Sequence, residues 1–70
     1  MMIVLKDHSD LYVSLNPRYI VGIEGASYTD PDYPDQEFSN VHMSGGTHHL
    51  ISGSALEITA KVNKGILYLL

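Results

Sequence analysis

The side chains best equipped for chemistry here are four histidines, His8, His42, His48 and His49, and eight carboxylates. Zinc takes three or four ligands in a tetrahedral array. His42 and His49 flank Ser44-Gly45-Gly46, a connection whose two glycines permit the positive φ of a hairpin turn. With Gly45-Gly46 as the central pair, Val41 faces Leu50, His42 faces His49 and Met43 faces His48. Val41, Met43, His48 and Leu50 then share one face, and His42 and His49 share the other. That places two ligands side by side, and a third would have to come from His8 or a distant acid. The chain has no cysteine, so no thiolate can complete the set. The preferred reading is structural: His42 and His49 are exposed strand residues, His48 packs beside Met43, and no metal or cofactor is expected.

The carboxylates of Asp30-Pro31-Asp32 and Asp35-Gln36-Glu37 lack the glycine pivot and terminal bidentate glutamate of a calcium loop. They also lack the rigid, partly buried mount that acid–base catalysis needs. None of the serines sits in a nucleophile elbow, and Ser44-Gly45-Gly46 does not supply one. No phosphate-binding glycine pattern occurs. These exclusions predict a protein that binds rather than catalyses.

Two binding modes remain. Ser27 to Glu37 holds two prolines, four acids and no aliphatic side chain, the composition of an exposed loop, with disorder an open alternative. Residues 28–40 are expected to form this acidic loop. Tyr28, Asp30, Asp32, Tyr33, Asp35 and Phe38 are its candidate partner-binding residues, because exposed aromatics make good interface anchors. The other reading folds Tyr28 and Phe38 back onto the sheet and leaves Tyr33 free. The second mode is capture of a small anionic, nucleotide-like ligand. Arg18 beside Tyr19 is the candidate there, since a guanidinium forks onto phosphate and stacks on aromatics; Lys6 is next.

The elements that must carry these residues follow from periodicity. Met2 to Lys6 is an apolar run suited to a buried strand, and Asp7-His8-Ser9-Asp10 reads as a turn. Leu11, Val13 and Leu15 alternate along a strand, which Asn16-Pro17-Arg18 ends. Residues 19–24 resume an extended pattern, with Gly22 and Gly25 marking a bulge or a close approach. The stretch from Ser54 to Gly65 alternates apolar and polar residues, but its other features favour a helix. Ser54-Ala55-Leu56-Glu57 reads as a capping box, Glu57 precedes Lys61 by four, and Gly65 sits where a C′ glycine belongs. The expected fold is mainly β (α+β): a small antiparallel sheet of four to five strands, or a barrel-like meander, with one short C-terminal helix in a single domain.

Size and charge bound the rest. Seventy residues, 44% of them hydrophobic, bury only about 60% of their unfolded surface as a monomer. Self-association is the simplest way to cover more, so a homo-oligomer is expected. Ile66, Leu67, Tyr68, Leu69 and Leu70 form an apolar tail expected to pack on a second subunit. Four of the eight acids fall between Asp30 and Glu37, and the remainder of the chain holds four acids and four bases. No basic stripe exists to displace counterions, which argues against nucleic acid. The longest apolar runs, Met1 to Leu5 and Ile66 to Leu70, are far short of the ~20 residues of a membrane span. With no targeting signal visible, a soluble cytoplasmic protein is expected.

The order of elements resembles the FlbD-type small flagellar proteins and their SwrD-like swarming relatives. The matching pieces are Ile3-Val4-Leu5, Leu15-Asn16-Pro17 with Ile20 and Ile23, residues 41–50 around Gly45-Gly46, and residues 55–62. The acidic loop departs from that pattern, where the family has a tight turn. The resemblance implies a non-enzymatic accessory module. The same layout also suits phage-type proteins that inhibit or sequester a target.

Overall fold

The computed structural model describes residues 2–67, with side chains through residue 65. Strands β1 (Ile3–Lys6) and β2 (Tyr12–Leu15) form an antiparallel hairpin in which Ile3 opposes Leu15 and Lys6 opposes Tyr12. Its residues alternate rather than bury in a run: Leu5 and Leu15 are buried, while Val4, Lys6, Tyr12 and Ser14 are exposed. Leu11, expected inside β2, lies in the turn and is exposed. Asp7 organises that turn, its carboxylate accepting the Ser9 and Leu11 N–H groups at 2.8 and 3.0 Å. Asp10 adopts φ 64° there, a left-handed conformation that Asp tolerates better than most residues.

Asn16 and Pro17 then start a 3₁₀ turn, Pro17–Tyr19, capped by the Asn16 side-chain Oδ1, which accepts the Arg18 N–H at 3.0 Å. The chain enters a three-stranded antiparallel meander of β3 (Ile20–Gly25), β4 (Phe38–Met43) and β5 (His48–Ser52). The bulge expected near Gly22 is present, since the β3–β4 register shifts between Ile20 and Gly22.

The β4–β5 hairpin differs from the sequence reading by one residue. Val41 opposes His49 and His42 opposes His48. Met43 N–H donates to the Thr47 carbonyl at 2.8 Å, and Gly46 N–H to the Met43 carbonyl at 3.1 Å. The loop is therefore Ser44-Gly45-Gly46, with Gly45 and Gly46 at φ 99° and 95°. Three residues with two positive φ values close the hairpin as readily as two. The slip exchanges partners across the sheet: Ser39, Val41 and Ile51, all 0% exposed, share the inner face. His48 consequently pairs with His42 on the outer face, rather than packing beside Met43.

Helix α1 (Ala55–Leu67) begins as its sequence predicts. Ser54 Oγ accepts the Glu57 N–H at 3.1 Å, and Glu57 Oε1 accepts the Ser54 N–H at 3.4 Å. Ile58 and Val62, one turn apart, enter a core with Leu5, Leu15, Val41 and Ile51, joining both sheets. The sheets also meet directly through an antiparallel bridge between Asp7 and Ile51 and the His8 N–H on the Leu50 carbonyl at 3.1 Å.

Gly65 is not a C′ residue, because α1 continues to Leu67. Its role is close approach: a Cβ there would lie 2.7 Å from Ile3 Cγ2 and 3.6 Å from Pro17 Cγ. The apolar tail expected to pack on a second subunit, residues 66–70, lies outside the described side chains. Gly→Ala inside a helix ordinarily gains about 1 kcal/mol. At position 65 overpacking against the stiff Ile3 side chain reverses the sign. Gly65→Ala should destabilise by about 1–3 kcal/mol in urea unfolding, and Ile3→Ala should restore part of the loss in the double variant. A stabilised single variant would refute the close packing of α1 on β1.

Candidate functional site

The acidic segment folds back onto the hairpin turn. Ala26 N–H donates to the Phe38 carbonyl at 2.9 Å at its root. At its far end Gly53 N–H donates to the Glu37 carbonyl at 2.8 Å. Between them, Asp30 Oδ1 accepts the Asp32 N–H at 2.9 Å, the local Asx geometry that Asp-Pro-Asp favours. The Tyr33 N–H reaches the Asp30 carbonyl and the Gln36 N–H reaches the Tyr33 carbonyl, both at 3.1 Å. Two turns in series therefore order the loop.

Aromatic packing anchors it. The Tyr28 ring stands edge-on to Phe38 at 4.9 Å between centroids and to His8 at 5.6 Å, the T-shaped arrangement aromatic quadrupoles prefer. Phe38 is 4% exposed and Tyr28 39%, whereas Tyr33 is 64% exposed. The expectation for residues 28–40 is corrected on this point. The loop ends at Glu37, and Phe38, Ser39 and Asn40 belong to β4. Phe38 is a buried anchor, removed from the set that can touch a partner. Tyr28 is largely committed to it, and Tyr33 is the displayed aromatic.

Loop and turn enclose a cleft of about 290 Å³ whose walls include Lys6, His8, Asp10, Asp30, Tyr33 and Gln36. Lys6 Nζ lies 3.4 Å from Asp10 Oδ1 and 6.0 Å from the centre of the Tyr12 ring. The other ion pair among the described residues is His42 Nε2 with Glu24 Oε1 at 2.8 Å. Neither pair engages Asp30, Asp32, Asp35 or Glu37. The loop's negative charge is thus concentrated around one exposed tyrosine and one polar cleft. Among the described residues, no group of three or more His, Asp or Glu is placed to hold a metal ion. His42 and His48 stack obliquely at 5.7 Å on the outer face.

The anion-binding candidates do not converge within one chain. Lys6 is at the turn end of the hairpin, while Arg18 and Tyr19 follow Leu15 at the opposite end. Asp10 and Gln36 join the cleft without having been singled out, and His8, considered only as a possible metal ligand, lines it as well. Asp7 and Asp10 marked a turn, but nothing in the sequence signals that a turn near residue 8 meets a loop near residue 33. Among the described residues no helix is long and apolar enough to cross a membrane. Comparison with protein-family models, curated proteins and solved structures gives no match to the chain.

Tyr28 holds the loop in place, so its removal should act locally. Tyr28→Ala should cost about 1 kcal/mol, a Tm decrease of roughly 4–8 °C. Cleavage by an acid-specific endopeptidase within residues 30–37 should accelerate in the same variant. Unchanged protection would mean that the turns alone hold the loop.

Proposed function

We propose that the protein is a non-catalytic, homo-oligomeric binding module that regulates, inhibits or adapts a protein partner carrying a basic segment. The observation that carries this reading is the ordered display of Tyr33 beside the cleft, with Asp30 and the Lys6-paired Asp10 in the cleft wall and Asp32 and Asp35 flanking the tyrosine. An arginine side chain suits such a place. Its guanidinium can meet a carboxylate while its plane lies on an aromatic ring. The carboxylates of the loop also steer a cationic partner from a distance, at a rate that falls as salt screens the field. A preformed loop binds without the ordering cost that a disordered one would incur.

An accessory role of this kind agrees with what the resemblance to the small flagellar and swarming proteins implies. Regulation follows if the bound segment is one the partner needs for its own work.

The test uses a short arginine-rich peptide and isothermal titration at low ionic strength. The expected result is binding that weakens as salt rises. Asp32→Asn, Tyr33→Ser and Asp35→Asn together should weaken it about ten-fold while leaving the Tm unchanged, since all three side chains are exposed. Absence of binding, or equal affinity in the triple variant, would sink the reading.

A further inference from the structure

The end of the fold away from the acidic loop carries a second surface of different character. The acidic loop follows the Gly25 end of β3; at the Ile20 end, a groove of about 280 Å³ runs between β3 and α1. Pro17, Ile20, Val21, Ile23, Thr59 and Val62 line it, and no ionisable side chain does. Val21, at the bulge, is 70% exposed. Leu56, 85% exposed, stands three residues before Thr59 on the same flank of the helix, toward its loop-facing start, where Ser54 and Ala55 share a hollow with Tyr28 and Glu37. β3 is also the terminal strand of its sheet, with no strand paired to its outer edge among the described residues. An open edge beside an apolar groove is a template for adding a strand.

Charge selects the occupant. The chain carries a net charge of −4, and the body outside residues 30–37 is balanced at four acids and four bases. Two copies of this chain repel through their loops, so a contact between them favours a neutral face that keeps the two loops apart. A two-fold contact also sets each patch against itself, which an uncharged groove tolerates and an acidic one does not. A basic partner has no electrostatic reason to choose this groove over the loop.

We propose that this face is the self-association surface: β3 of a second copy lies antiparallel along the outer edge of β3, and the two β3–α1 grooves pack together across a two-fold axis. The inference rests on the homo-oligomeric reading above and gives it a location. It places the subunit contact on β3 and the flank of α1, and leaves both acidic loops at the periphery, open to partners.

The full chain is measured by multi-angle light scattering over a concentration series. The expected mass is twice the 7.7 kDa of one chain. Thr59→Lys changes an exposed helical position to a good helix former, so the monomer remains folded by circular dichroism while two like charges meet in the dimer. Val21→Lys does the same from the strand edge. Each variant should return the mass to that of one chain and still bind the arginine-rich peptide. A wild-type mass of one chain at every concentration overturns the proposal, as does a doubled mass in either variant. Loss of peptide binding by the loop triple variant with the doubled mass intact tests the loop alone, so the two readings fail separately.

Discussion

Everything in this fold depends on Ile58 and Val62, which close two sheets too small to close on themselves. A two-stranded hairpin is at best marginal in water, and a three-stranded meander needs a cover for its apolar face. The helix supplies that cover to both at once, with Ile58 1% and Val62 6% exposed among Leu5, Leu15, Val41 and Ile51. Its ends are fixed by separate means. Ser54 and Glu57 cap the start, and Gly65 lets the last turns approach Ile3 and Pro17. A residue with a Cβ at position 65 would push the helix from β1 and loosen the hairpin from the meander. Apolar packing is reinforced by polar ties, one across this seam and one within the meander. Ser52 Oγ donates to the Asp7 carbonyl at 3.1 Å, and buried Ser39 Oγ donates to the Gly53 carbonyl at 2.9 Å. The second satisfies a carbonyl that would otherwise be costly to bury, while the Asp7 carbonyl also accepts the Asp10 N–H at 3.2 Å.

The seam between hairpin and meander also builds the cleft. Because Asp7 bridges Ile51 and His8 reaches Leu50, the turn of the hairpin stands beside the β5 edge, where the acidic loop returns to β4. His8 is then in place to receive Tyr28. Covering part of the β5 edge therefore also gives the loop its floor. The sequence of constraints runs from the core outward: the helix fixes the hairpin, the hairpin fixes its turn, and the turn holds the loop.

Local signals in the sequence were reliable where a few neighbouring residues decide the outcome. The Ser54–Glu57 capping box, the Asn16-Pro17 break and the Gly22 bulge all rest on short-range geometry. What depended on distant contacts was not legible. The hairpin register turned on whether Ser44 belongs to the strand or the loop, and the inward demand of Val41 and Ile51 decided it against the two-residue turn. The fold-back of Tyr28 and Phe38, with Tyr33 left free, is one of two readings the sequence allows, and the packing of His8, Tyr28 and Phe38 selects it. Gly65 looks like a helix stop, and only the nearness of Ile3, sixty-two residues away in sequence, reveals it as a packing residue. Likewise His8, Asp10 and Gln36 acquire a shared cleft through tertiary placement alone.

The division of charge then bears on how so small a chain could serve two contacts. A surface that attracts a basic segment must stay acidic, and acidity opposes association of like copies. Placing four carboxylates in one loop at the Gly25 end of β3 leaves the remainder of the chain balanced. The six residues of β3 span about 16 Å, about two screening lengths in physiological salt, so within one chain the Ile20 end of the strand lies outside that field. In the proposed dimer, antiparallel pairing would set the two loops at opposite ends of the paired strands, with β3 as the spacer between them. Lengthening the acidic run toward Ile20 would couple the two surfaces, whereas confining it beyond Gly25 lets each be tuned by substitution without disturbing the other.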